Sequence, residues 1–402
     1  MTTLPSDYVY LDNAATTPLS ENVANAMAEA LKAEDQGLYG NANSLHSIGR
    51  AAFSALEDAR TRVMRALGAH RPDEIIFTSG ATESDNAALR GIVSACMQKR
   101  RQAGHPYTEP RIVVSEIEHE AILEECEEMK AEGIAVTILP VNKAGFVEIE
   151  TFEKIITNPE YEGQIILASV MMANNEIASI QPIKELARIA HEHGVYFHTD
   201  ATQALGKTPF NAEDLGIDAA SFSAHKICGP KGLGVLYLRQ GCPFDAFLVG
   251  GGQERGLRSG TQNVPSIIGA AVAFEDVIHN YDEEVKRQRS LRDLLYKELL
   301  ALKGVEATVD VAPESEEYLP NIVHVCVRGQ ESESMILQFD MLGFAVSGGS
   351  ACSSQSMVAS HVLRAINTQP ALARGALRIS LSHCTTEEDV YRFIDAAKKV
   401  LA

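Results

Sequence analysis

The sequence has no excess of basic residues: 35 lysines and arginines are outnumbered by 54 aspartates and glutamates, which gives a formal net charge of −19. We therefore do not expect nucleic-acid binding to be the main function of the chain. No apolar run has the length needed to cross a membrane. The segment from Leu4 to Leu11 carries Asp7 and no basic leader, so export is not expected either.

Cysteine is present, but not in the patterns that build disulfide scaffolds or zinc sites. The seven cysteines are Cys96, Cys126, Cys228, Cys242, Cys326, Cys352 and Cys384. Their number is odd, they are scattered, and no two have CxxC spacing. We therefore expect no disulfide framework and no metal, and we predict a location in the reducing cytoplasm.

Internal repeats and low-complexity linkers are also missing. The chain has 402 residues, of which 45% are hydrophobic and 22% charged, as is typical of a large globular domain with a smaller one attached. Strand-like runs at 111–115 and 164–170 are followed by a helical segment at 182–194 and a further strand-like run at 196–200. This alternation predicts an α/β fold with a mainly parallel, doubly wound sheet.

The stretch from residue 221 to residue 234 is central to the interpretation of the whole chain. An apolar run around Phe222 predicts a buried strand, and His225, Lys226 and a glycine-rich turn follow it. A lysine at the end of a buried strand is desolvated, which lowers its pKa and makes it a nucleophile toward an aldehyde. Ser223 and His225 flank Lys226 and can donate hydrogen bonds to an anion. The alternative is a surface loop with an ordinary solvated lysine.

A second strand-like run, residues 196–203, ends near an aspartate. Asp200 precedes Lys226 by 26 residues, which leaves room for one strand and its connection. In a doubly wound sheet neighbouring strand ends meet at one crevice, so the two side chains can face a common ligand. A carboxylate that keeps a pyridine nitrogen protonated, beside a lysine that forms a Schiff base, is typical of pyridoxal phosphate chemistry.

These two motifs, residues 198–203 and 221–226, resemble those of the class V, fold-type I enzymes that depend on pyridoxal 5'-phosphate. The similarity is to cysteine desulfurases of the NifS/IscS type, and it extends over essentially the whole chain. It implies a large cofactor-binding domain formed by residues 16–263. Residues 1–15 and 264–402 would form a smaller α+β domain, which carries a mobile catalytic-cysteine loop at about 346–376.

The resemblance also implies a set of cofactor contacts. They are Lys226, Asp200, Gln203, Asn175, Ala81, Thr82, Ser223, His225, Thr261 and His119. Ala81 and Thr82 follow a glycine at the start of a helix, where free backbone N–H groups suit a phosphate; a plain helix cap is the alternative. Asn175 and Gln203 would contact the ring oxygen, unless Asn175 is a turn residue. Thr261 would reach the phosphate of a partner subunit, which implies a homodimer.

Three residues are expected to act on the substrate or its protons. A lone histidine is most often structural, but His119 follows the strand 111–115, and the resemblance makes it an acid/base beside the cofactor ring. Arg378 would clamp the substrate carboxylate, a bidentate task suited to guanidinium. Asn41 lies in a Gly/Asn/Ser-rich loop and is a further candidate for substrate contact.

Cys352 lies in a small, polar, glycine-rich segment, an unusual place for a buried structural cysteine such as Cys326. A thiolate on such a loop is accessible and can carry sulfur. The run Gly349–Cys352 matches the persulfide motif of the NifS/IscS group. Cys228 departs from that group, which often has an aromatic residue or histidine there, and adds an oxidation-prone thiol two residues from Lys226.

The expected activity is removal of sulfur from L-cysteine, which yields L-alanine and a persulfide on Cys352. The sulfur would pass to an iron–sulfur scaffold or another acceptor protein. Two alternatives stay open: another class V enzyme, such as a selenocysteine lyase, an aminotransferase or a β-eliminating lyase, and a non-catalytic subunit that retains the fold. No contact with nucleic acid or membrane is expected.

Overall fold

The computed structural model describes residues 7–32, 36–104, 109–349 and 360–401. The helices are Glu21–Lys32 (α1), Ser47–Ala66 (α2), Ala81–Gln102 (α3), Glu120–Ala131 (α4), Ile149–Ile156 (α5), Ile183–Glu192 (α6), Ala212–Leu215 (α7), Val264–His279 (α8), Tyr281–Leu300 (α9), Ser332–Met341 (α10), His361–Ala365 (α11), Pro370–Ala373 (α12) and Glu387–Val400 (α13). The strands are Val9–Tyr10 (β1), Ile75–Thr78 (β2), Arg111–Ser115 (β3), Ala135–Leu139 (β4), Ile165–Ser169 (β5), Tyr196–Asp200 (β6), Ala219–Ser223 (β7), Gly234–Leu238 (β8), Val305–Ala307 (β9), Ile322–Val327 (β10), Phe344–Ala345 (β11) and Ala376–Ser380 (β12).

The main sheet has seven strands in the order β2-β8-β7-β6-β5-β3-β4. Only β8 runs against its neighbours β2 and β7; the other adjacent pairs are parallel. Strands β5, β7 and β8 are buried along their whole length, because helices cover both faces of the sheet. The predicted α/β fold with a mainly parallel sheet is confirmed.

The direction of the strands positions the candidate site. Strands β2, β3, β5, β6 and β7 all run the same way, so their carboxyl ends meet at one edge of the sheet. Each of these strands ends in a hydroxyl or carboxyl side chain instead of another apolar one: Thr78, Ser115, Ser169, Asp200 and Ser223. The sheet thus gathers residues that lie far apart in the sequence.

A second, antiparallel sheet has the order β12-β10-β9. Its apolar side chains share a core with α9, α10 and α13, in which Phe339 stacks on Phe393 at a centroid distance of 5.0 Å. The N-terminal segment joins this unit, because β1 pairs with β11 and Asp12 forms a bridge with Ser380. The N-terminal segment and β12 therefore lie side by side next to the main sheet.

The two long helices between the sheets pack on different partners. Helix α8 lies against α1 and α2, and its residues Ile267 and Phe274 belong to the core of the large sheet. Helix α9 packs against α13 and β10. A division of the chain into residues 16–263 and the remainder stays a prediction.

Among the described residues, no helix combines the length and the hydropathy that a bilayer span requires.

Candidate active site

A cavity of about 440 Å³ opens at the carboxyl ends of the parallel strands, and we call it the strand-end cavity. Ten residues predicted from the sequence line it: Ala81, Thr82, His119, Asn175, Asp200, Gln203, Ser223, His225, Lys226 and Arg378. They come from six separate stretches of chain. The fold therefore brings most of the predicted site into one space.

Lys226 ends a short 3-10 turn, Ala224–Lys226, directly after β7. Its ammonium nitrogen donates to the backbone carbonyls of Ala14 (2.7 Å) and Ala15 (2.9 Å). The N-terminal segment thus provides acceptors that keep the amine at the cavity wall. Lys207 lies behind it, with Nζ 3.4 Å from the Lys226 carbonyl oxygen, and burial together with the charge of Lys226 lowers the pKa of Lys207 to about 8.

Asp200 ends β6 with only 6% of its surface exposed. One carboxylate oxygen accepts from the backbone N–H of Thr202 at 2.9 Å, which fixes the side chain at the strand end. His198 is fully buried beneath it on the same strand and contacts the hydroxyls of Ser169 (2.8 Å) and Ser221 (3.0 Å). Burial lowers the pKa of His198 to about 3, so the ring is neutral.

Two further acids lie near Asp200, and burial affects both. The pKa of Asp85 is well above its usual range because of burial and the nearby charge of Asp200. Burial also raises the pKa of Glu118 to about 8, although Ser115 and the Met171 N–H donate to its Oε1. Burial therefore disfavours the charged form of both groups, which limits the negative charge in one buried region.

His119 caps the start of α4, where its Nδ1 accepts from the backbone N–H of Ala121 at 3.1 Å. This bond places the proton of the neutral ring on Nε2. Burial lowers the pKa of His119, so a neutral imidazole lines the cavity. It is a group suited to accepting or donating a proton near pH 7.

One end of the cavity has the features of an anion site. Gly80 precedes α3 and offers no side-chain cap, so the first-turn N–H groups of Ala81 and Thr82 lack an N-cap acceptor. Ser223 and His225 lie on the facing turn, and burial lowers the pKa of His225 to about 4. The acidic residue of that helical turn, Glu83, is paired with Arg258 at 2.7 Å. Backbone amides and neutral side chains thus surround a space suited to phosphate.

Arg378 lies in the middle of β12 and is 1% exposed, yet it lines the cavity. Its Nη2 donates to Asp12 Oδ1 at 2.9 Å, and its Nη1 donates to the Asn175 carbonyl at 2.8 Å. No group in the described part of the chain accepts a hydrogen bond from its buried Nε. A buried donor without a partner costs free energy, so this group is available to an anionic ligand.

The residues fit pyridoxal phosphate. Lys226 and Asp200 share the cavity with the uncapped start of α3, and the amide oxygen of Gln203 is buried without a donor while its Nε2 donates to Ala14 at 2.8 Å. A lysine, a carboxylate and a phosphate cradle are the donor set that this cofactor requires.

Two predicted residues lie outside the cavity. Asn41 and Thr261 are both exposed. Asn41 Oδ1 accepts from the Asn43 N–H at 2.9 Å, and Asn43 Nδ2 donates to Gln262 Oε1 at 3.1 Å, so their loops touch each other. Cys352 lies outside the described residues.

The sequence did not single out four residues that shape the site electrostatically: Asp85, Glu118, His198 and Lys207. A signal existed for His198, because it is two residues before Asp200 on a strand and therefore shares its face. Asp85 is four residues after Ala81, on the same side of the helix. The carbonyl groups of Ala14 and Ala15 had no signal, since any residue provides a carbonyl.

Comparisons with known proteins agree with this geometry. Residues 9–393 match the family model described as aminotransferase class-V. The chain is 42% identical over 393 residues to the cysteine desulfurase IscS of Dictyoglomus turgidum, with 98% of this chain and 94% of that protein covered. It is 38% identical to the cysteine desulfurase NifS of Azotobacter vinelandii, with coverages of 98% and 92%.

Solved structures give the same result. A NifS-like protein superimposes with a TM-score of 0.87 at 37% identity, covering 98% of this chain and 99% of the other. A structure described as SspA in complex with cysteine has a TM-score of 0.76 at 30% identity, with coverages of 93% and 98%.

The fold and the site thus define the fold-type I class of enzymes that use pyridoxal phosphate. Within that class, the chain belongs to the class-V aminotransferase family, and its extensive similarity there is to cysteine desulfurases of the NifS/IscS type.

Proposed function

We propose that the protein is a pyridoxal-phosphate-dependent cysteine desulfurase, which takes sulfur from L-cysteine, releases L-alanine and carries the sulfur as a persulfide on Cys352. One observation carries the proposal. Lys226, Asp200, His119 and Arg378 line one cavity in a chain that is similar to cysteine desulfurases over nearly its whole length.

The cofactor would lie in the strand-end cavity. When bound, the pyridoxal ring supplies an electron sink for charge that develops on the substrate's α-carbon. Lys226 would hold the aldehyde carbon, and Asp200 would pair with the ring nitrogen. Asn175 and Gln203 would contact the ring oxygen. The phosphate would lie against the start of α3 and accept from the Ala81 and Thr82 amides, with Ser223 and His225 on its other side.

Two groups of this chain would move protons. Lys226 lies beside the Ala14 and Ala15 carbonyls, and its amine would take the α-proton of the substrate. His119 is neutral with its proton on Nε2, so it can pass a proton between thiol and substrate carbon. Burial raises the pKa of Asp85 and of Glu118, which disfavours negative charge on both groups beside Asp200, the proposed partner of the ring nitrogen.

Arg378 would bind the substrate's carboxylate. Its unpaired Nε supplies one donor directly. Its Nη2 already forms an ion pair with Asp12. The substrate carboxylate would therefore share this nitrogen with the Asp12 carboxylate or take its place. Both partners are charge-assisted acceptors, and exchange of one for the other keeps the buried guanidinium paired.

The sulfur step would use Cys352. Its thiolate attacks the substrate sulfur, the carbon–sulfur bond breaks, a sulfur–sulfur bond forms on Cys352, and the carbon takes a proton from His119 or Lys226 on the way to alanine. An iron–sulfur scaffold or another acceptor protein would then receive the sulfur.

A homodimer would complete the site. Thr261 and Asn41 are exposed on two touching loops outside the cavity, which suits contact with the site of a second subunit. In this arrangement Thr261 of the partner subunit would reach the phosphate. A cytoplasmic location would suit the thiols, since the cysteines Cys96, Cys126, Cys228, Cys242, Cys326 and Cys384 are all free.

A single-turnover reaction tests the proposal. The protein loaded with pyridoxal phosphate is mixed with L-cysteine without reductant, and the Cys352 peptide is analysed by mass spectrometry. We expect one added sulfur atom on Cys352 and an equimolar amount of alanine. Cys352→Ser is the matched control and should lack the modification. An unmodified Cys352 with the cofactor bound would point to a class V enzyme that acts on another amino acid.

A further inference from the structure

Two thiols flank a single imidazole outside the strand-end cavity. Cys228 Sγ lies 3.3 Å from His383 Nδ1, and Cys384 Sγ lies 3.0 Å from His383 Nε2. The imidazole ring of His383 lies in contact with both sulfurs. Cys228 follows the Lys226 turn, whereas His383 and Cys384 lie in the loop between β12 and α13. The cluster therefore joins the large sheet to the smaller one.

A second cavity, of about 530 Å³, leads to this cluster, and we call it the thiol cavity. Cys228, His383, Lys207 and Lys226 are among its lining residues. Cys384 and His383 are exposed, and Cys228 is half-buried. A small polar molecule can therefore reach Cys384 from solvent and Cys228 from within the cavity.

The backbone holds Cys228 in one orientation. Its φ of +63° is in the left-handed region, which is unusual for a residue with a side chain. The Thr17 hydroxyl accepts from the Cys228 N–H at 2.8 Å, and the Ser20 N–H donates to the Cys228 carbonyl at 3.1 Å. These bonds hold the Cys228 backbone so that its sulfur lies beside His383.

His383 can serve each thiol in turn. Burial raises the pKa of both Cys228 and Cys384, so the thiols are protonated at neutral pH and need a base to react. A neutral imidazole has one N–H and one free lone pair, and here each nitrogen faces a sulfur. Whichever nitrogen lacks a proton can accept one from its neighbouring thiol.

Metal binding does not account for the cluster. No group of three or more His, Cys, Asp or Glu side chains in the described ranges has the geometry of a metal site. The sulfurs contact opposite nitrogens of the ring, whereas a metal would bind one nitrogen and draw both sulfurs toward that side.

We propose that Cys228 and Cys384 form an oxidisable thiol pair, which low-molecular-weight disulfides such as oxidised glutathione convert to a Cys228–Cys384 disulfide with His383 as the base. First, Cys384 transfers its proton to His383 and attacks one glutathione sulfur. The glutathione disulfide bond breaks, a mixed disulfide forms on Cys384, and the leaving thiolate takes the proton.

The second step closes the bond between the two parts of the chain. Cys228 transfers its proton to His383 and attacks the Cys384 sulfur, after the ring has turned aside. The mixed disulfide breaks, and the second glutathione leaves as a thiol. In total, two protein thiols are oxidised and one glutathione disulfide is reduced to two thiols. The product ties the loop after Lys226 to the loop after β12.

The experiment uses the full chain loaded with pyridoxal phosphate and incubated with oxidised glutathione. Peptide mass analysis should find a Cys228–Cys384 crosslink that lacks two hydrogens and disappears on treatment with dithiothreitol. Cys228→Ser should stop at one glutathionyl group on Cys384. Cys384→Ser should prevent both products, whereas Cys242→Ser, which removes a half-buried thiol elsewhere, should still form the crosslink.

A further variant tests the role of the ring. His383→Asn should slow the modification of Cys384 by about 10²-fold, as expected for loss of a general base. An unchanged rate in this variant would overturn the role of His383. A wild-type protein that carries glutathione on Cys384 without crosslinking, or that does not react at either thiol, would overturn the proposal itself. These results do not depend on Cys352 or on desulfurase activity.

Discussion

Two cavities share Lys226, and they differ in how their polar groups are neutralised. The strand-end cavity lies where parallel strands end, and burial sets its chemistry: the pKa values of His119 and His225 are lowered, and those of Asp85 and Glu118 are raised. Burial thus favours the neutral form of these four groups.

The thiol cavity is bordered by loops and by residues of α1, α8 and α9, and there ion pairs and hydrogen bonds neutralise the charge of Arg287. Arg287 donates to Glu284 at 2.7 Å and to the carbonyls of Ser382 and Thr385, so four of its five N–H groups are used. Arg378, in the strand-end cavity, retains an unpaired Nε. The comparison shows that residue type alone does not identify a reactive site, because similar side chains line both cavities. In the part of the chain that the structure describes, the unpaired buried atoms of the strand-end cavity include a charged donor, Arg378 Nε, whereas those of the thiol cavity are the amide oxygens of Asn13 and Asn321.

Substitution of one lysine in each cavity should give the largest difference in kcat between the two cavities. Lys226→Ala should lower desulfurase kcat by at least about 10³-fold, because both the cofactor attachment and a proton-transfer group are lost. Lys207→Met, in the thiol cavity, removes a charge that neighbours Lys226 but leaves the cofactor attachment in place, so it should lower kcat far less. Cofactor absorbance and alanine release measure both effects. Equal losses in the two variants would contradict the distinction.

Substitution of one histidine in each cavity should give the next largest difference in kcat. His119→Gln should lower kcat by about 10²-fold, because the amide cannot move a proton. His383→Gln, in the thiol cavity, should leave kcat unchanged. Steady-state alanine formation from L-cysteine measures both. If His119→Gln retained full activity, another group would have to be the proton carrier.

Matched arginines should affect substrate binding more than turnover. Arg378→Lys should raise KM for L-cysteine by about 10- to 10²-fold, since loss of charge-assisted hydrogen bonds costs about 1.5–3 kcal/mol. Arg287→Lys should lower Tm and leave KM unchanged, because its partners are carbonyl groups and Glu284 within the fold. A raised KM in the second variant, with no change in the first, would reverse the assignment of the substrate arginine.

Acid pH should destabilise the strand-end region through His198. Its folded pKa of about 3 lies below the unfolded value of about 6.5, so below about pH 6.5 the unfolded state binds a proton that the folded state does not. The stability is therefore complete above about pH 6.5 and falls as the pH decreases toward 3. Between about pH 7 and pH 5 the loss is about 2 kcal/mol.

The difference in Tm between these two pH values measures this effect. His198→Asn should reduce the acid-induced decrease in Tm, whereas His383→Gln, which replaces an exposed ring, should not alter it. An unchanged decrease in His198→Asn would mean that protonation of His198 does not limit stability in acid.

Much of the site was accessible from the sequence because its residues follow apolar runs. A buried strand is recognisable by its composition, and a polar residue at its end has little structural reason to be there, as with Asp200 and Lys226. The roles of Thr261, Asn41 and Cys352 stay predictions. The first two lie outside the cavity of this chain, and the third lies outside the described residues.

The charged groups that surround the predicted site residues could not be identified from the sequence in the same way. Asp85, Glu118 and Lys207 are ordinary charged residues in the sequence, and only their burial reveals their protonation states. His383 and Cys384 follow Cys228 by 155 and 156 residues. Local sequence patterns therefore carry no information about this cluster.

The sequence by itself determined the alternation of strands and helices, the family motifs and the identity of the lysine and aspartate, because these depend on local composition and short spacings. The tertiary structure decided which side chains share a cavity, which of them are neutral and which donors remain unpaired. Burial and electrostatic interaction depend on distances between segments that are remote along the chain, and only the folded arrangement sets those distances.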